Sequence, residues 1–168
     1  SFAYTARLVD ADGKELTRLG KDVDARVQLK VTNVGPSKAH KGIAILRNKS
    51  GRRVFLKAGR IEFENLEPGA STEVEFSFET REVLDPANSA ESSNTFDFDL
   101  AIVDSYSSAA LTRKLKISGA GKDGEDFPNG KSFRAPHIDM TLLATDTKDV
   151  VSVTDADRVD LKATVTSG

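Results

Sequence analysis

Two segments of this chain alternate apolar and polar residues with a period of two, and this pattern constrains the fold more than any other sequence feature. The first runs from Val27 to Pro36 (VQLKVTNVGP) and the second from Asn65 to Phe78 (NLEPGASTEVEFSF). Each alternation adjoins a Gly-Pro or Pro-Gly break, which is typical of a half-buried strand entering or leaving a turn. The pattern predicts a β-sandwich.

Other short alternating runs, separated by turn signals, favour an immunoglobulin-like antiparallel sandwich over strand–helix–strand units. The predicted strands are Tyr4–Val9, Ala25–Asn33, Gly42–Arg47, Arg53–Lys57, Ile61–Leu66, Thr72–Glu79, Thr95–Val103 and Leu111–Ser118. Because side chains alternate between the two faces of a strand, one apolar set should form the core. Its expected members are Val27, Leu29, Val31, Val74, Phe76, Phe78, Phe96, Phe98, Leu100 and Ile102.

The connections carry their own signals. The segment Asn48 to Gly51 is interpreted as a hairpin turn with glycine at a positive φ, and Pro68-Gly69 as a tight bend. Arg81 to Asn94 is polar and broken by proline, which predicts a long loop with room for one helical turn.

Beyond Ser118 the composition shifts to Gly, Lys, Asp and Asn, which predicts a linker. Two further alternating runs follow, Ile138 to Leu142 and Val159 to Val165, around a polar segment from Thr145 to Asp157. A hairpin alone is marginally stable in water, so this one either opens a second sandwich or docks on the first. The predicted organisation is therefore a sandwich over residues 1–118, a linker over 119–136 and a partial second β unit, a hairpin, over 137–168.

Composition excludes several classes of protein. The chain has 168 residues, 30% of them charged, with a formal net charge of -2, so no overall field favours nucleic acid or a membrane surface. It contains no cysteine, which rules out disulfides, thiolate catalysis and cysteine-based zinc sites. No apolar run approaches the ~20 residues of a membrane span, and any export signal is expected upstream of Ser1.

No motif in the sequence predicts catalysis or cofactor binding. Gly119 to Gly124 matches G-x-G-x-x-G, and Gly130-Lys-Ser132 resembles the end of a P-loop, but neither precedes a sequence able to form the required helix. His40 and His137 have no recognisable nucleophile to activate.

Two aspartate-rich segments offer oxygen ligands for calcium, Asp10 to Glu15 and Asp146 to Asp157. Neither completes an EF-hand loop, and Asp-Gly is an ordinary turn sequence, so a metal is the less favoured interpretation. We therefore predict no catalytic residue, no cofactor and no metal site, and a chain that is not an enzyme.

The layout of charge is the feature that suggests function. The charged residues between positions 38 and 60 are all basic. Those between positions 62 and 104 are all acidic except for Arg81. In an immunoglobulin-type sandwich this places Asp97 and Asp99 across from Lys41 and Arg47. Cross-strand ion pairs are the first interpretation, and a dedicated anion-binding face is the second. The candidate interaction face comprises Lys41, Arg47, Lys49, Arg52 and Arg53.

The run Val31 to Ala39 (VTNVGPSKA), joined to Leu66 to Phe76 (LEPGASTEVEF), resembles the cell-adhesion-related bacterial immunoglobulin-like modules of CARDB type. The resemblance covers about residues 22–118. With the following strands, the tandem is similar to the C-terminal region of myxobacterial carboxyl-terminal processing (tail-specific) serine peptidases. It implies an exported, periplasmic or extracellular, multidomain parent whose Ser-Lys pair has no counterpart here.

The leading hypothesis is a non-catalytic accessory module that positions domains or binds a protein partner. The alternative is a cell-surface adhesion or carbohydrate-binding module. Sugar-binding sandwiches present aromatic platforms, whereas this chain has no tryptophan and only two tyrosines, Tyr4 and Tyr106, which favours the first hypothesis.

Overall fold

Strands make up most of the computed structural model, which describes residues 1–107, 109–121, 123–134, 150–153 and 161–164. The chain divides into two compact units, Ser1–Arg134 and Ala135–Gly168. A single helical turn, α1 (Ser89–Ser92), and a 3-10 turn, Gly51–Arg53, interrupt the described strands of the first unit. Those strands are β1 (Phe2–Asp10), β2 (Asp24–Asn33), β3 (Ala39–Asn48), β4 (Val54–Leu56), β5 (Arg60–Leu66), β6 (Ser71–Thr80), β7 (Thr95–Asp104), β8 (Ala110–Ser118) and β9 (Ser132–Arg134).

The strands of the first unit form two antiparallel sheets. One has the order β4-β6-β2-β1-β9 and the other has the order β5-β3-β7-β8. Strands β1, β2, β6 and β4 thus share one sheet while β3, β7 and β8 share the other, as in an immunoglobulin-like sandwich. The predicted all-β, immunoglobulin-like antiparallel fold is confirmed.

The core consists of the inward-facing side chains of both sheets. All the apolar residues that the period-two pattern assigned to it are buried, with Leu29 1% and Phe76 and Phe98 0% exposed. The rings of Phe78 and Phe98 meet with centroids 5.1 Å apart and so join the sheets. Gly42 has a steric role, because a Cβ atom at that position would overlap the ring of Phe63.

Two predicted connections are confirmed and one is wrong. Gly69 has φ +78, and α1 forms one helical turn in the predicted long loop. Gly51 also has a positive φ, +61, but the turn before it is not a hairpin. β3 and β4 belong to different sheets, so the chain crosses there from one sheet to the other.

The predicted linker over residues 119–136, and with it the end of the sandwich at residue 118, is also corrected. The first unit continues to Arg134, and β9 pairs with β1 from Ala3 to Thr5. Phe127 is buried within this unit, and Leu19 forms a parallel bridge with Gly119. Hydrogen bonds to its main chain, such as that from the N–H of Phe127 to Thr17 O at 2.9 Å, attach the segment to the sandwich, so its polar composition is compatible with a fixed position.

The second unit contains an antiparallel pair, β10 (Val150–Val153) and β11 (Leu161–Thr164). β11 confirms the strand predicted in the alternating run that ends at Val165. β10 lies inside the segment interpreted as polar, because its three valines form a β-branched run that favours a strand. The strand predicted over Ile138 to Leu142 lies outside the described residues.

Candidate functional site

The outer face of the β5-β3-β7-β8 sheet carries a block of apolar side chains. On β3, Ala44 and Leu46 point into the core, so Ile43 and Ile45 lie on the outer face, where they are half-buried. Ile43 is directly opposite Val103 of β7, and Ile45 is opposite Ala101. We call these four residues, Ile43, Ile45, Ala101 and Val103, the apolar block.

Charged residues border the apolar block along β5 and at the end of the block where Arg47 lies opposite Asp99. On the β5 side, Glu62 lies opposite Ile43 and Arg60 opposite Ile45. On the β8 side the neighbours of Val103 and Ala101 are the uncharged Ala110 and Thr112, and charge begins at Lys114, opposite Asp99. An apolar centre within a polar rim is the usual composition of a protein-binding surface.

Lys41 is held at the β5 side of this border. Its Nζ lies 2.8 Å from Oε2 of Glu62, and the other carboxylate oxygen, Oε1, accepts from Nη2 of Arg60 at 2.7 Å. The hydrogen bond with Glu62 raises the pKa of Lys41, and the bonds from Lys41 and Arg60 lower the pKa of Glu62. The predicted pairing of Lys41 with Asp97 or Asp99 is wrong, because the antiparallel register sets Gly42 opposite Asp104 and Arg47 opposite Asp99, so Lys41 lies at the other end of β3 from both aspartates.

Arg47 lies directly opposite Asp99, as the sequence predicted. The Nζ of Lys49 is 3.7 Å from Oδ2 of the same aspartate, so Arg47 and Lys49 share one acidic neighbour. Of the five candidate residues, these two are brought together, at the end of β3 remote from Lys41.

Arg52 and Arg53 lie in the 3-10 turn after β3 and bind other parts of the chain. Nε and Nη2 of Arg52 donate to the carboxylate of Glu91 at 2.9 and 2.7 Å. The guanidinium of Arg53 lies 4.2 Å from the ring centroid of Phe96 and donates to the carbonyl oxygen of Thr95 at 2.9 Å. Burial lowers the pKa of Arg53. Both arginines fasten the long loop to the sandwich, so their charge is largely used internally.

Sequence reasoning missed Glu91, the buried carboxylate at the centre of this corner. Besides Arg52, the backbone N–H groups of Arg52 and Ala87 donate to it at 3.1 and 2.9 Å. The side-chain bond from Arg52, followed by these backbone bonds, lowers the pKa of Glu91 to about 2. The local signal that existed was Asn88, whose side chain caps the short helix by accepting from the N–H of Glu91.

The segment that matches G-x-G-x-x-G accepts hydrogen bonds from the side chain of Arg18 and does not have the geometry of a phosphate site. The guanidinium of Arg18 donates to the carbonyl oxygens of Gly121, Asp123 and Gly124 at 2.7 to 2.9 Å, and to Oδ1 of Asp126 at 3.0 Å. A phosphate cradle needs converging N–H donors, whereas carbonyl oxygens converge here on an arginine. This arrangement explains how a linker-like sequence remains attached to the sandwich.

The remaining candidates have structural surroundings. Oδ1 of Asp10 accepts from the backbone N–H groups of Asp12 and Lys14, each at 2.9 Å, and so shapes a turn. The ring of His40 contacts the ring of Tyr106 edge to face. Within the described part of the chain, no three histidine, aspartate or glutamate side chains gather to hold a metal ion. His137 and most of Asp146 to Asp157 lie outside the described residues.

Comparisons with known proteins give little further information. No protein-family model and no curated protein matches the chain. One solved structure with some likeness is a FixG-related protein from Vibrio parahaemolyticus, with 12% identity and a TM-score of 0.39 over 70% of this chain and 96% of that one. Among the described residues, no helix is long and apolar enough to cross a membrane.

Proposed function

We propose that this chain is a non-catalytic module that binds a protein partner, or a neighbouring domain of its own parent protein, through the outer face of the β5-β3-β7-β8 sheet. The observation that carries the proposal is the apolar block of Ile43, Ile45, Ala101 and Val103 within its charged border. Burial of such a block on association contributes about 25 cal/mol for each Å² of apolar surface removed from water.

The charged border supplies orientation more than affinity. Arg47, Lys49 and Lys114 surround Asp99 at one end of the block, and the Lys41–Glu62 pair lies at the other. Exposed ion pairs contribute about 0 to 1 kcal/mol each to stability, but a patterned rim selects partners and their register. The charged border therefore favours one docking orientation over others.

A more specific assignment, to the C-terminal region of an exported tail-specific serine peptidase, is also part of the proposal. It is supported by the resemblance of Val31 to Ala39 and Leu66 to Phe76 to CARDB-type modules. The open reading frame of the parent tests it: an upstream export signal and a peptidase domain with a Ser-Lys pair support it, and their absence contradicts it.

The alternative of a carbohydrate-binding module has less support from the described surface. Tyr106 is 76% exposed, but its ring makes an edge-to-face contact with His40, and Tyr4 is buried. A sugar platform requires an accessible aromatic face, and usually more than one.

The interaction surface is tested by placing a photo-crosslinking amino acid at Ile45 of the parent protein in its native cell. We expect a crosslinked product of one discrete mass that is lost when Ile43→Asp is added. The matched control carries the same amino acid at Lys30, an exposed position on β2 in the other sheet. Equal crosslinking from both positions, or none from Ile45, contradicts the proposal.

The absence of catalysis is tested separately on the isolated chain with peptide and ester substrates. We expect no turnover above the uncatalysed rate. Turnover that a single substitution abolishes would reveal an active site and refute a purely binding role.

A further inference from the structure

The edge strands β1 and β8, one from each sheet, differ in how far their main-chain groups are hydrogen-bonded by other described residues. Along β1, β9 pairs with Ala3 to Thr5. Farther along, the N–H of Gly130 donates to Ala6 O at 2.9 Å, and the N–H of Leu8 donates to Oδ1 of Asn129 at 2.7 Å. The main chain of this edge strand is thus paired over most of its length.

The β8 edge of the other sheet is long, and among the described residues its cover lies at the C-terminal end, where the N–H of Leu19 donates to Ser118 O at 3.0 Å. β8 has nine residues, pairs with β7 and is the last strand in the order of its sheet. Among the described residues, no other strand pairs with it. An edge strand of this length presents main-chain donors and acceptors to which another strand can add.

An apolar cleft lies directly beside β8. It has a volume of about 420 Å³ and an apolar lining formed by Tyr4, Leu115, Phe127, Pro128 and Phe133. Its charged lining residues are Arg113, Lys114, Lys116, Glu125 and Asp126, in which basic side chains outnumber acidic ones. The Tyr4 side chain is 1% exposed, and its hydroxyl makes no hydrogen bond. Burial raises the pKa of Tyr4 to about 12, so this hydroxyl is a neutral donor. A buried, unpartnered hydroxyl is unusual in a finished core and marks the cleft as a place for a further group.

The outer face of β8 is basic. Lys114 and Lys116 are exposed, and neither forms an ion pair with a described residue. Lysine on an edge strand also discourages aggregation, which is sufficient to explain the charge alone. It does not explain an apolar cleft with an unpartnered hydroxyl on the opposite side of the same strand.

We propose that the β8 edge, with the cleft beside it, binds an extended polypeptide segment whose apolar and acidic residues alternate. Side chains of an added strand alternate between the two faces of the sheet. Those on the outer face adjoin Lys114 and Lys116 and are acidic, and those on the inner face adjoin Leu115 and enter the cleft. The inference rests on the proposed protein-binding role but uses the edge of the sheet rather than the apolar block, and Lys114 borders both surfaces.

The test uses a fluorescein-labelled, end-capped peptide of eight residues in which valine and glutamate alternate, added to the full chain. We expect saturable binding by fluorescence anisotropy and chemical-shift changes in the β8 amides. An alternating valine–lysine peptide and an alternating serine–glutamate peptide should each bind at least tenfold more weakly, the first because of charge and the second because the cleft remains unfilled.

Two variants make the test specific. Lys114→Glu with Lys116→Glu should weaken binding of the valine–glutamate peptide at least tenfold and strengthen binding of the valine–lysine peptide. Ile45→Asp, which changes only the apolar block, should leave peptide binding unchanged, so failure here is distinct from failure of the proposed function. No binding, equal binding of all three peptides, or binding without β8 shifts overturns the inference.

Discussion

Two asparagines at opposite ends of β3 make the same hydrogen bonds in different surroundings. Asn33 ends β2 beside the start of β3, and Asn48 ends β3 itself. In each, Oδ1 accepts from the backbone N–H two residues later, at 3.0 Å for Asn33 and 2.7 Å for Asn48. In each, Nδ2 also donates to two carbonyl oxygens at 2.8 and 2.9 Å.

The two asparagines differ in burial and in reach. Asn33 is 1% exposed, and one of its acceptors is the carbonyl oxygen of Leu66, at the end of β5 in the other sheet. Asn48 is half-buried, and its partners all lie within six residues. The same side chain therefore joins two sheets at one end and shapes a local turn at the other. At the Asn48 end, other groups make the long-range contacts, among them the ion pair of Arg52 with Glu91 and the hydrogen bond from the N–H of Lys49 to Asp97 O.

The largest difference should come from removing the two amides. We expect Asn33→Ala to lower the free energy of unfolding by about 3 kcal/mol, because it leaves buried carbonyl oxygens without a donor. Asn48→Ala should cost about 1 kcal/mol, because water replaces part of what is lost. Urea denaturation of both variants, followed by circular dichroism, measures the two values. Equal losses would show that burial does not separate these corners.

Two glycines with positive φ, Gly69 near Asn33 and Gly51 near Asn48, should show a smaller difference in stability when each is replaced by alanine. Gly69, at φ +78, has no atom within 4 Å of where a Cβ would lie, so Gly69→Ala should cost only the backbone strain of about 1 kcal/mol. At Gly51, φ +61, a Cβ would lie 2.8 Å from Cγ of Glu91. Gly51→Ala should therefore cost about 2 kcal/mol, since the carboxylate must also move. Thermal unfolding of the pair measures the difference, and identical midpoints would show that Glu91 shifts freely.

The Asn33 corner also shows how far sequence reasoning extends. The segments Val27 to Pro36 and Asn65 to Phe78 are predicted as separate strand-and-turn signals, and the structure contains both strands, β2 and β6. In the fold they meet, because the N–H of Gly69 donates to Asn33 O at 2.7 Å and the N–H of Asn33 donates to Ala70 O at 3.0 Å. Each turn is encoded locally by its own Gly, Pro and Asn, whereas their meeting depends on strand order.

The features that sequence reasoning missed depend on distant partners. Arg52 and Glu91 are 39 residues apart, and Arg18 reaches carbonyl groups more than 100 residues away. A short strand such as β9 has too few residues to show a period. The apolar block was missed in part because two of its four residues lie on a distant strand. The alternation places Ile43 and Ile45 outside the core, but only the register of β3 with β7 brings Ala101 and Val103 beside them.

Lowering the pH should weaken the contacts of Glu91 with Arg52 and leave the hydrogen bonds of Asn33 unchanged. The pKa of Glu91 is lowered from 4.5 to about 2 in the folded protein, so its carboxylate stabilises the fold fully above pH 4.5, and this contribution is lost as the pH falls toward 2. The stability difference between the native protein and Glu91→Gln should therefore narrow over that range. The corresponding difference for Asn33→Ala should stay constant, because no proton is involved. Urea titrations at several pH values measure both, and a Glu91→Gln difference independent of pH would contradict the assignment.

The smallest global effect should come from Arg52→Ala, whose consequences are expected to stay in the long loop. Nη2 of Arg52 donates to Asp85 O at 2.9 Å as well as to Glu91, so its loss frees the Asp85 end of the segment and leaves Glu91 with its two backbone donors. Hydrogen exchange should accelerate at least tenfold in that segment while the amides of β2 and β6 remain protected. Arg52→Lys keeps the charge but loses the bidentate geometry, and it should give intermediate exchange. Acceleration that spread equally to the Asn33 corner would show that the two ends of the sandwich are not independent.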